Sequence, residues 1–407
     1  MRDDTDVSAV RHAVGRPRSI WGGLVRTLAV LVAVVLISSV SVAAYGAWRI
    51  NQKVVAGGID LGDGEPEIAP IDGAFNVLLV GADNAVGQKS WGAARDATLN
   101  DVNILVHVSA DHTRGTVVSL PRDLIIPHPQ CEDPKTGEVF SAMAAQPLNE
   151  AFSRGGLRCV VNTVESVTGL NIPYAALFSF EGTVKMADAV GGVEVCTTKA
   201  IDDPDAGLKL KKGRSTISGR TALAYLRSRH GVGDQSDLSR IASQQAYMSS
   251  LMRKMTSSNT LSDPTKLYAL ANAAADNVKL SKSLAGIDPM VQMALALKNV
   301  DLDHLVFVQY PVVDDPVNHN KVVPNAQLAP VLMDRVLRDR PIALGDDALG
   351  LSTRLSKSKS ADPTPSPSKT TGTKKSESAG ADGTEEDPTI AGLRGQTAAQ
   401  RTCSIAS

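Results

Sequence analysis

Residues 220–247 read RTALAYLRSRHGVGDQSDLSRIASQQAY, and the interpretation of the whole chain starts from this stretch. Residues 221–226 have the composition of the end of a short helix, and the glycines among residues 230–233 prevent its continuation. If the chain is extended at Arg227 and Arg229, their spacing of two places both guanidinium groups on the same face. The stretch therefore predicts two helices joined by a turn that carries arginines.

The second helix is predicted to begin at Asp237, which is a good N-cap residue. The apolar residues that follow at helical spacing are Leu238, Ile241, Met248, Met252 and Met255. Arg240 then lies in the first turn and Gln244 one turn later. A helix N-terminus offers free N–H groups, and arginine side chains bind phosphate oxygens in pairs, so the stretch favours an anion site. The alternative is a solvated amphipathic helix whose arginines pair with Asp234 and Asp237.

Several motifs occur in an order that is typical of one protein family. They are residues 76–83 (NVLLVGAD), Asp101 before an apolar strand, residues 119–123 (SLPRD), Leu148-Asn149, residues 191–193 (GGV), residues 222–229 (ALAYLRSR) and Asp237-x-x-Arg240-x-x-x-Gln244-Gln245. Over roughly residues 75–255 the chain resembles the LytR-CpsA-Psr (LCP) family.

Two positions depart from the family pattern. Leu99-Asn100 stands where the family usually has an arginine and a serine, with Arg95 as a possible substitute, and Ser243 stands where it usually has an arginine. These departures bear on whether this chain is active.

The resemblance implies a phosphotransferase that moves a glycopolymer from a polyprenyl diphosphate lipid carrier onto peptidoglycan, with formation of a phosphodiester. It implies catalytic roles for Arg122, Arg227, Arg229, Arg240 and Gln244. It also implies that the substrate is bound by Arg227, Arg229, Arg240, Gln244 and Asp237. Positioning and charge neutralisation supply most of the catalysis in phosphoryl transfer, and these residue types suit that task.

Asp83 and Asp101 are the predicted ligands of Mg²⁺, which binds through one or two carboxylates together with water and phosphate oxygens. The alternative for both residues is that they cap loops at strand ends. An apolar groove for the lipid is expected inside the body, with residues 160–190 forming part of its wall, and ordinary core packing is the alternative for these residues.

Two other functions remain open from the sequence. One is a non-catalytic module that binds a polyprenyl phosphate or a wall polymer, and the other is a membrane-bound regulator of the transcriptional attenuator type. The absence of a helix-turn-helix pattern with a basic face argues against the regulator. A net charge of only -1 likewise gives no indication of a nucleic-acid partner.

Residues 21–48 are predicted to form a transmembrane helix, since residues 28–45 are apolar and uncharged. Arginines precede this run at Arg11, Arg16, Arg18 and Arg26. The positive-inside rule therefore places residues 1–20 in the cytoplasm and the catalytic domain outside a single-pass cell membrane anchor. A cleaved signal peptide is the alternative.

The predicted body is an α/β domain over residues 74–340, a mixed sheet flanked by helices, preceded by a juxtamembrane linker over residues 49–73. Strands are expected at residues 75–80, 102–108, 116–120, 193–196 and 305–309, and the polar motifs at the ends of the first three should meet at one rim of the sheet. The body is expected to close near Val313. Residues 341–407 are predicted to be a disordered tail, because residues 352–388 have almost no large apolar side chains.

The four cysteines fit an oxidising compartment. Cys131 and Cys159 lie in one loop-rich segment and are predicted to form a disulfide. Cys196 and Cys403 either pair with each other or stay free, since connectivity cannot be deduced from sequence.

Overall fold

The structure is a computed structural model that describes residues 20–62, 73–82, 98–134, 136–256, 264–350, 352–356 and 389–407. It contains two compact units, Met1–Arg49 and Ile50–Ser407. Asp83 and Arg95 lie outside the described residues.

In chain order, the α-helices of the described residues are α1 (Ile20–Ala56), α2 (Ala151–Thr168), α3 (Phe180–Ala189), α4 (Gly219–Arg227), α5 (Asp237–Thr256), α6 (Pro264–Asn277), α7 (Ile287–Asn299) and α8 (Leu328–Leu337). Short 3₁₀ helices cover Leu148–Glu150 and Lys282–Leu284.

The strands of the same residues are β1 (Phe75–Ala82), β2 (Asn100–Val108), β3 (Gly115–Leu120), β4 (Ile125–His128), β5 (Cys131–Glu132), β6 (Val139–Phe140), β7 (Met143–Pro147), β8 (Tyr174–Phe178), β9 (Val193–Thr197), β10 (Ile201–Asp203), β11 (Leu208–Leu210), β12 (Gly213–Ile217), β13 (Val278–Leu280), β14 (Leu305–Gln309), β15 (Val312–Asp314), β16 (Val322–Pro324), β17 (Thr353–Leu355), β18 (Gly395–Thr397) and β19 (Thr402–Ser404).

Helix α1 is the one helix among the described residues that is long and apolar enough to cross a membrane. Its 37 residues exceed the roughly 20 that a bilayer requires, and its most apolar part has a mean hydropathy of 2.5. Large apolar side chains such as Leu28, Ile37 and Val42 are exposed along it. The predicted apolar helix at residues 21–48 is confirmed, and it extends eight residues further, to Ala56.

The predicted linker over residues 49–73 is wrong in its first part. Val54 and Leu61 are both only 7% exposed, and the backbone N–H of Ile59 donates to the carbonyl oxygen of Leu280 at 2.8 Å. These apolar side chains pack into the larger unit, so residues 50–62 are part of it. Residues 63–72 lie outside the described residues.

The central sheet has seven strands in the order β13-β8-β1-β2-β3-β14-β18. Strand β1 pairs in parallel with β8, and β3 pairs in parallel with β14, whereas β2 is antiparallel to both β1 and β3. The ends of β8, β1, β3 and β14 therefore lie on the same rim as the starts of β2 and β18. This confirms convergence for Asp101 at the start of β2 and Arg122 after β3, which are hydrogen-bonded, whereas Asp83 lies outside the described residues.

Both faces of the sheet carry a hydrophobic core, so helices flank it on two sides. One core joins Leu78, Val80 and Leu105 of the sheet to Val160 of α2 and Leu332 of α8. The mixed α/β fold with flanking helices is confirmed.

The other core joins Ile104 and Val117 of the sheet to Ala296 of α7, with Met248 and Met252 of α5 packed against it.

The C-terminal residues contradict the prediction of a disordered tail that starts at residue 341. Strand β18 pairs antiparallel with β14, which adds a seventh strand to the central sheet, and Leu393 beside it is only 1% exposed. Strand β19 lies between β9 and β17 in a four-stranded sheet. Closure of the body near Val313 is wrong for the same reason. Residues 357–388 lie outside the described residues, and Ile390 and Leu393, which follow them, are buried.

Both cysteine pairs form disulfides. The predicted bond between Cys131 and Cys159 is confirmed. Cys196 and Cys403, which the sequence left open, are also bonded, with Cα atoms 4.4 Å apart, and they link β9 to β19 across 207 residues of sequence. This second bond holds the C-terminal strand to the body.

We predict that the double variant Cys196→Ser/Cys403→Ser is destabilised by about 2–5 kcal/mol, since removing a native disulfide releases a long loop in the unfolded chain. Equilibrium unfolding in guanidinium chloride under oxidising conditions measures the effect. Reduced wild-type protein loses both bonds and should be no more stable than the variant. A variant with the wild-type unfolding midpoint would contradict a structural role for this bond.

Candidate anion-binding site

The turn between α4 and α5 is held in place by a buried carboxylate. Asp203 is 1% exposed, and its Oδ2 accepts hydrogen bonds from Ser228 Oγ at 2.6 Å and from the Gly231 backbone N–H at 3.1 Å. Ser228 lies between Arg227 and Arg229. Because Asp203 fixes this residue, the two neighbouring guanidinium groups project from a defined backbone. Sequence analysis missed Asp203, which follows no motif.

The end of the chain supports the same turn. The Gly233 backbone N–H donates to the carbonyl oxygen of Ile405 at 2.8 Å, and Ser407 Oγ donates to the carbonyl oxygen of His230 at 2.6 Å. Gly233 has φ +54°, and a Cβ there would lie 2.3 Å from Ser239 Oγ, so the position requires glycine. The predicted disordered tail is therefore a structural support of the arginine turn.

Ser236, and not Asp237, provides the cap of α5. Its Oγ accepts a hydrogen bond from the Ser239 backbone N–H at 3.2 Å, as an N-cap side chain does. Asp237 is the first residue inside the helix. The predicted N-cap at Asp237 is wrong by one residue, and the shift leaves the Asp237 carboxylate available to contact side chains.

The Asp237 carboxylate lies among three arginines. Its Oδ1 is 2.7 Å from Arg240 Nη2, 3.6 Å from Arg122 Nε and 3.9 Å from Arg229 Nε. The closest of these contacts lacks hydrogen-bond geometry, so both Asp237 oxygens and Arg240 Nε are buried without a hydrogen-bond partner among the described residues. The contact with Arg240 is therefore electrostatic.

The alternative of a solvated helix does not hold, because the Arg240 side chain is only 6% exposed. Asp234, the other acid of that alternative, accepts a hydrogen bond from Ser239 Oγ at 2.5 Å.

Arg122 enters this group from the end of β3. Its Nη1 donates to Asp101 Oδ1 at 2.7 Å, and its Nε lies 3.4 Å from Asp123 Oδ2. The Leu148-Asn149 motif fixes its backbone, since the Asn149 N–H donates to the Arg122 carbonyl oxygen at 3.0 Å. Arg240 Nη2 also donates to the Asp101 backbone carbonyl at 3.0 Å. The motifs of β2, β3 and α5 therefore meet at one point.

Lys321 is a member of the group that sequence analysis missed. Its Nζ is 2.5 Å from Asp123 Oδ1. It follows a loop with no motif, and only the folded chain brings it to the end of β3. We call the set Asp101, Arg122, Asp123, Arg229, Asp237, Arg240 and Lys321 the rim cluster.

The charges of the rim cluster shift the pKa values of its members. Burial tends to lower the pKa of Arg122, but the charges of Asp101, Asp237 and Asp123 outweigh it and raise the value. Burial tends to raise the pKa of Asp123, but the hydrogen bond from Lys321 and the charge of Arg122 hold it below its usual range. Burial lowers the pKa of Arg240, with only partial compensation by Asp237.

Arg227 lies apart from these ion pairs. Its guanidinium carbon is 4.6 Å from the ring centroid of Phe180, at the start of α3, and no ion pair joins it to a carboxylate of the rim cluster among the described residues. Phe180 follows the end of β8, which belongs to the same rim. Arg227 therefore lies at the same rim of the sheet as the rim cluster, where it makes a cation–π contact with Phe180.

The rim cluster has the electrostatics of an anion site. It contains four cations and three carboxylates, and Arg122, Arg229 and Lys321 remain partly exposed, with side chains at 19%, 34% and 25%. Closely spaced guanidinium groups bind phosphate oxygens in pairs. The arrangement therefore suits a phosphate or diphosphate group at the rim.

Comparison with known proteins identifies the family. The LytR_cpsA_psr family model matches residues 45–333, which include the rim motifs on β2, β3 and α5. The chain belongs to the LytR-CpsA-Psr family.

Relatives within this LCP family carry cell-wall names. The chain is 31% identical over 305 residues to the cell wall biosynthesis protein LcpA of Corynebacterium glutamicum, covering 68% of this chain and 58% of LcpA. It is 26% identical over 298 residues to TagT of Bacillus subtilis, named a polyisoprenyl-teichoic acid–peptidoglycan teichoic acid transferase, covering 70% and 86%. Another relative, MsrR of Staphylococcus aureus, is named a regulatory protein and is 27% identical over 47% of this chain and 52% of MsrR. The chain thus spans little more than half of LcpA and MsrR.

A solved LCP structure has the same fold. The LytR-Csp2A-Psr enzyme from Actinomyces oris superposes with a TM-score of 0.51 at 22% identity, covering 69% of this chain and 94% of that one. At this identity the match supports the fold alone.

Two of the residues that depart from the LCP pattern lie at buried positions. Asn100 is fully buried, and its side chain donates to the Leu148 carbonyl oxygen at 3.1 Å and accepts from the Phe152 backbone N–H at 3.0 Å. It therefore ties the start of β2 to the segment that holds Arg122. Ser243 is also fully buried, on the α5 side that faces the core.

Gln244 contacts the backbone just before Arg227. Its Nε2 donates to the carbonyl oxygen of Leu226 at 2.8 Å, at the end of α4. The side chain is 6% exposed. The described contact makes Gln244 a residue that positions Arg227.

We predict that Gln244→Leu lowers the free energy of unfolding by about 1–3 kcal/mol, because the Leu226 carbonyl loses its partner. Pyrophosphate affinity should fall less than in Arg229→Lys, since Gln244 positions a neighbour of the site. Denaturant unfolding and calorimetric titration with pyrophosphate measure the two effects. Unchanged stability together with complete loss of pyrophosphate binding would instead make Gln244 a direct ligand.

Proposed function

We propose that this chain is a phosphotransferase that moves a glycopolymer from a polyprenyl diphosphate carrier onto peptidoglycan, with formation of a phosphodiester. The observation that carries the proposal is the rim cluster, in which Arg122, Arg229 and Arg240 surround one carboxylate at the edge of the sheet. Membership of a family whose relatives include a named teichoic acid transferase supports the same reaction class.

The rim cluster would bind the diphosphate oxygens. An acceptor hydroxyl attacks the phosphorus that carries the glycan, a new P–O bond forms, and the P–O bond to the carrier phosphate breaks. Polyprenyl phosphate leaves and takes up the proton that the hydroxyl loses. Negative charge on the leaving group increases during this step. Arginines that are already held by Asp237 and Asp101 stabilise that charge without reorganisation.

Magnesium would bind through Asp101. Arg122 donates to one oxygen of this carboxylate, so the other would be offered to the ion beside the proposed phosphate position. No group of three His, Cys, Asp or Glu side chains in the described part of the chain is arranged to hold a metal. Mg²⁺ commonly takes most of its ligands from water and phosphate, with one or two carboxylates. Asp101 and Asp83 would hold the ion, which would neutralise charge on the diphosphate.

The lipid chain would lie on the sheet face covered by α5 and α7. On this face Val102, Val106 and Met252 are partly exposed and pack against the core. Of the region first expected to form this wall, residues 160–190, Val160 is fully buried in the opposite core, whereas Tyr174 belongs to the core on this face. This region would therefore contribute to the wall through Tyr174.

The proposed place of action is the outer side of the cell membrane. Helix α1 would serve as a single-pass anchor, and the arginines that precede it favour a cytoplasmic N-terminus. The two disulfides support an oxidising compartment for the body.

We predict that Arg227→Lys, Arg229→Lys and Arg240→Lys each reduce transfer about tenfold or more. Lysine keeps the charge but loses the planar fork, and a hydrogen bond to a charged group contributes about 1.5–3 kcal/mol. Transfer from a short-chain polyprenyl diphosphate glycan to peptidoglycan is the measurement.

The matched controls are Arg338→Lys and Arg354→Lys, because both arginines are exposed. Arg253 is unsuitable as a control, since its Nη1 donates to the carbonyl oxygens of Ala398 and Gln400. If the three test variants transfer as well as the controls, with unchanged stability, the arginines do not form a phosphate clamp. If they lose pyrophosphate binding but wild type shows no cleavage of the carrier, the chain is a binding module.

We predict that Asp101→Asn raises the Mg²⁺ concentration needed for half-maximal transfer about tenfold, because the ion loses a charged ligand. Asp123→Asn is the control, since Asp123 also contacts Arg122 but is not assigned to the metal. Binding of Mn²⁺, followed by electron paramagnetic resonance, gives a readout independent of activity. An equal effect of both substitutions on metal dependence would assign Asp101 to arginine positioning alone.

A further inference from the structure

A second polar cavity lies on the same rim as the rim cluster. Its volume is about 140 Å³, and it is bounded by the start of α5, the end of β14, the start of β18 and residues 348–350 and 352–353. Among its lining side chains are Ser236, Gln245, Gln309, Ser352, Arg394 and Gln396. We call it the amide pocket.

Part of the amide pocket lies outside the region that the family model matches. That match ends at residue 333, whereas Ala348, Ser352 and Arg394 form one side of the pocket. This side is firmly attached to the body. The Gly395 backbone N–H donates to the Ala348 carbonyl oxygen at 2.8 Å, and Ser352 Oγ is 2.6 Å from Ser239 Oγ. The pocket therefore depends on the C-terminal part of this chain, which is hydrogen-bonded to the body.

The lining chemistry differs from that of the rim cluster. Three carboxamides and several hydroxyl groups both donate and accept hydrogen bonds, and the charged lining groups are one arginine and one aspartate. Leu238, Ala242 and Leu349 add small apolar surfaces. A phosphate-binding site needs an excess of donors and positive charge, which this pocket lacks. Its mixture suits a ligand rich in hydroxyl groups with apolar C–H faces, which describes a sugar ring.

The amide groups are positioned by contacts with neighbouring elements. Gln309 Nε2 donates to the Leu238 carbonyl oxygen at 3.1 Å, and Gln245 Nε2 lies 3.4 Å from Ser119 Oγ. Gln396 Nε2 donates to Ser249 Oγ at 2.7 Å, and its Oε1 accepts from Thr402 Oγ1 at 2.9 Å, so this amide shapes the wall of the pocket. Because partners on α5 and β3 hold Gln245 and Gln309, these two amides keep a defined arrangement before a ligand binds, which lowers the entropic cost of binding.

The position of the pocket relates it to phosphoryl transfer. Gln309 ends β14, which pairs directly with β3, the strand that leads into Arg122. Neighbouring strands are about 4.8 Å apart. The first turn of α5 separates the two sites, with Asp237 contacting the arginines and Ser236 and Leu238 lining the pocket. The pocket and the rim cluster therefore share this turn and lie on its two sides.

We infer that the amide pocket binds a sugar of the peptidoglycan acceptor beside the rim cluster. This inference rests on the proposed transferase function and assigns that function a second subsite. Arg394 is exposed at the pocket, where it can contact an incoming glycan, and its Nη1 donates to the Asp347 carbonyl oxygen at 2.7 Å.

The test uses the full chain in detergent and two probes, a soluble peptidoglycan tetrasaccharide and inorganic pyrophosphate. Ala348→Leu fills the pocket, Arg394→Ala removes a donor from it, and Arg354→Ala is the control because Arg354 is exposed and outside the lining. We expect the first two variants to weaken tetrasaccharide binding about tenfold, in line with loss of a hydrogen bond to a charged group, and to leave pyrophosphate binding unchanged. Arg229→Lys should show the reverse pattern.

The transfer reaction supplies a second readout. Arg394→Ala should raise the KM for the acceptor and leave the KM for the lipid-linked donor unchanged. An increase in donor KM alone, equal tetrasaccharide affinity in all variants, or no tetrasaccharide binding by wild type would each overturn the assignment of the pocket. Failure of wild type to bind pyrophosphate would instead overturn the transferase proposal, so the two failures are distinguishable. Arg394→Ala keeps the test valid if Ala348→Leu does not fold.

Discussion

The ion pairs of Asp237 are the interaction on which the site depends. Two unit charges 4 Å apart interact by about 4 kcal/mol at the effective dielectric constant near a protein surface, so clustered guanidinium groups repel each other strongly. Asp237 places one carboxylate oxygen within 4 Å of three arginines, and Asp101 and Asp123 each contact Arg122. The carboxylates reduce the repulsion and leave a small excess of positive charge. An anion that binds at the rim removes the remaining repulsion.

Backbone geometry brings these charges together. Antiparallel pairing of β2 between β1 and β3 places the start of one strand beside the ends of the other two. Asp101 and Arg122, 21 positions apart, are therefore neighbours. Buried polar residues then fix the loops, with Asn100 holding the start of β2 and Asp203 holding the turn before α5. The side chains of Asn100 and Asp203 each form several hydrogen bonds with neighbouring loops, and these bonds hold the rim cluster in place before a ligand binds.

The C-terminal residues link fold and site. Strand β18 completes the central sheet, and the carbonyl of Ile405 accepts a hydrogen bond from Gly233 in the arginine turn. The disulfide between Cys196 and Cys403 holds this segment in place. The same segment forms one side of the amide pocket. The proposed phosphate site and the inferred sugar site therefore both depend on residues that are distant in sequence but adjacent in space.

Local patterns in the sequence determined the apolar helix α1, the buried strands β1, β2, β3 and β14, and the spacing that identified the family, because periodicity and motif order are properties of neighbouring residues. The Cys131–Cys159 pair was also predictable from its segment. Only the tertiary structure decided that residues 389–407 are ordered, since their burial requires a sheet edge formed by distant strands.

The tertiary structure also decided which groups the polar side chains contact. Lys321 joins Asp123, Gln244 holds Leu226, and Ser236 replaces Asp237 as the helix cap, and no local pattern specifies these contacts. Residue type shows which groups carry charge or donate hydrogen bonds. Long-range pairing of strands and packing of helices decide which of these groups come within bonding distance, so these contacts are seen only in the folded chain.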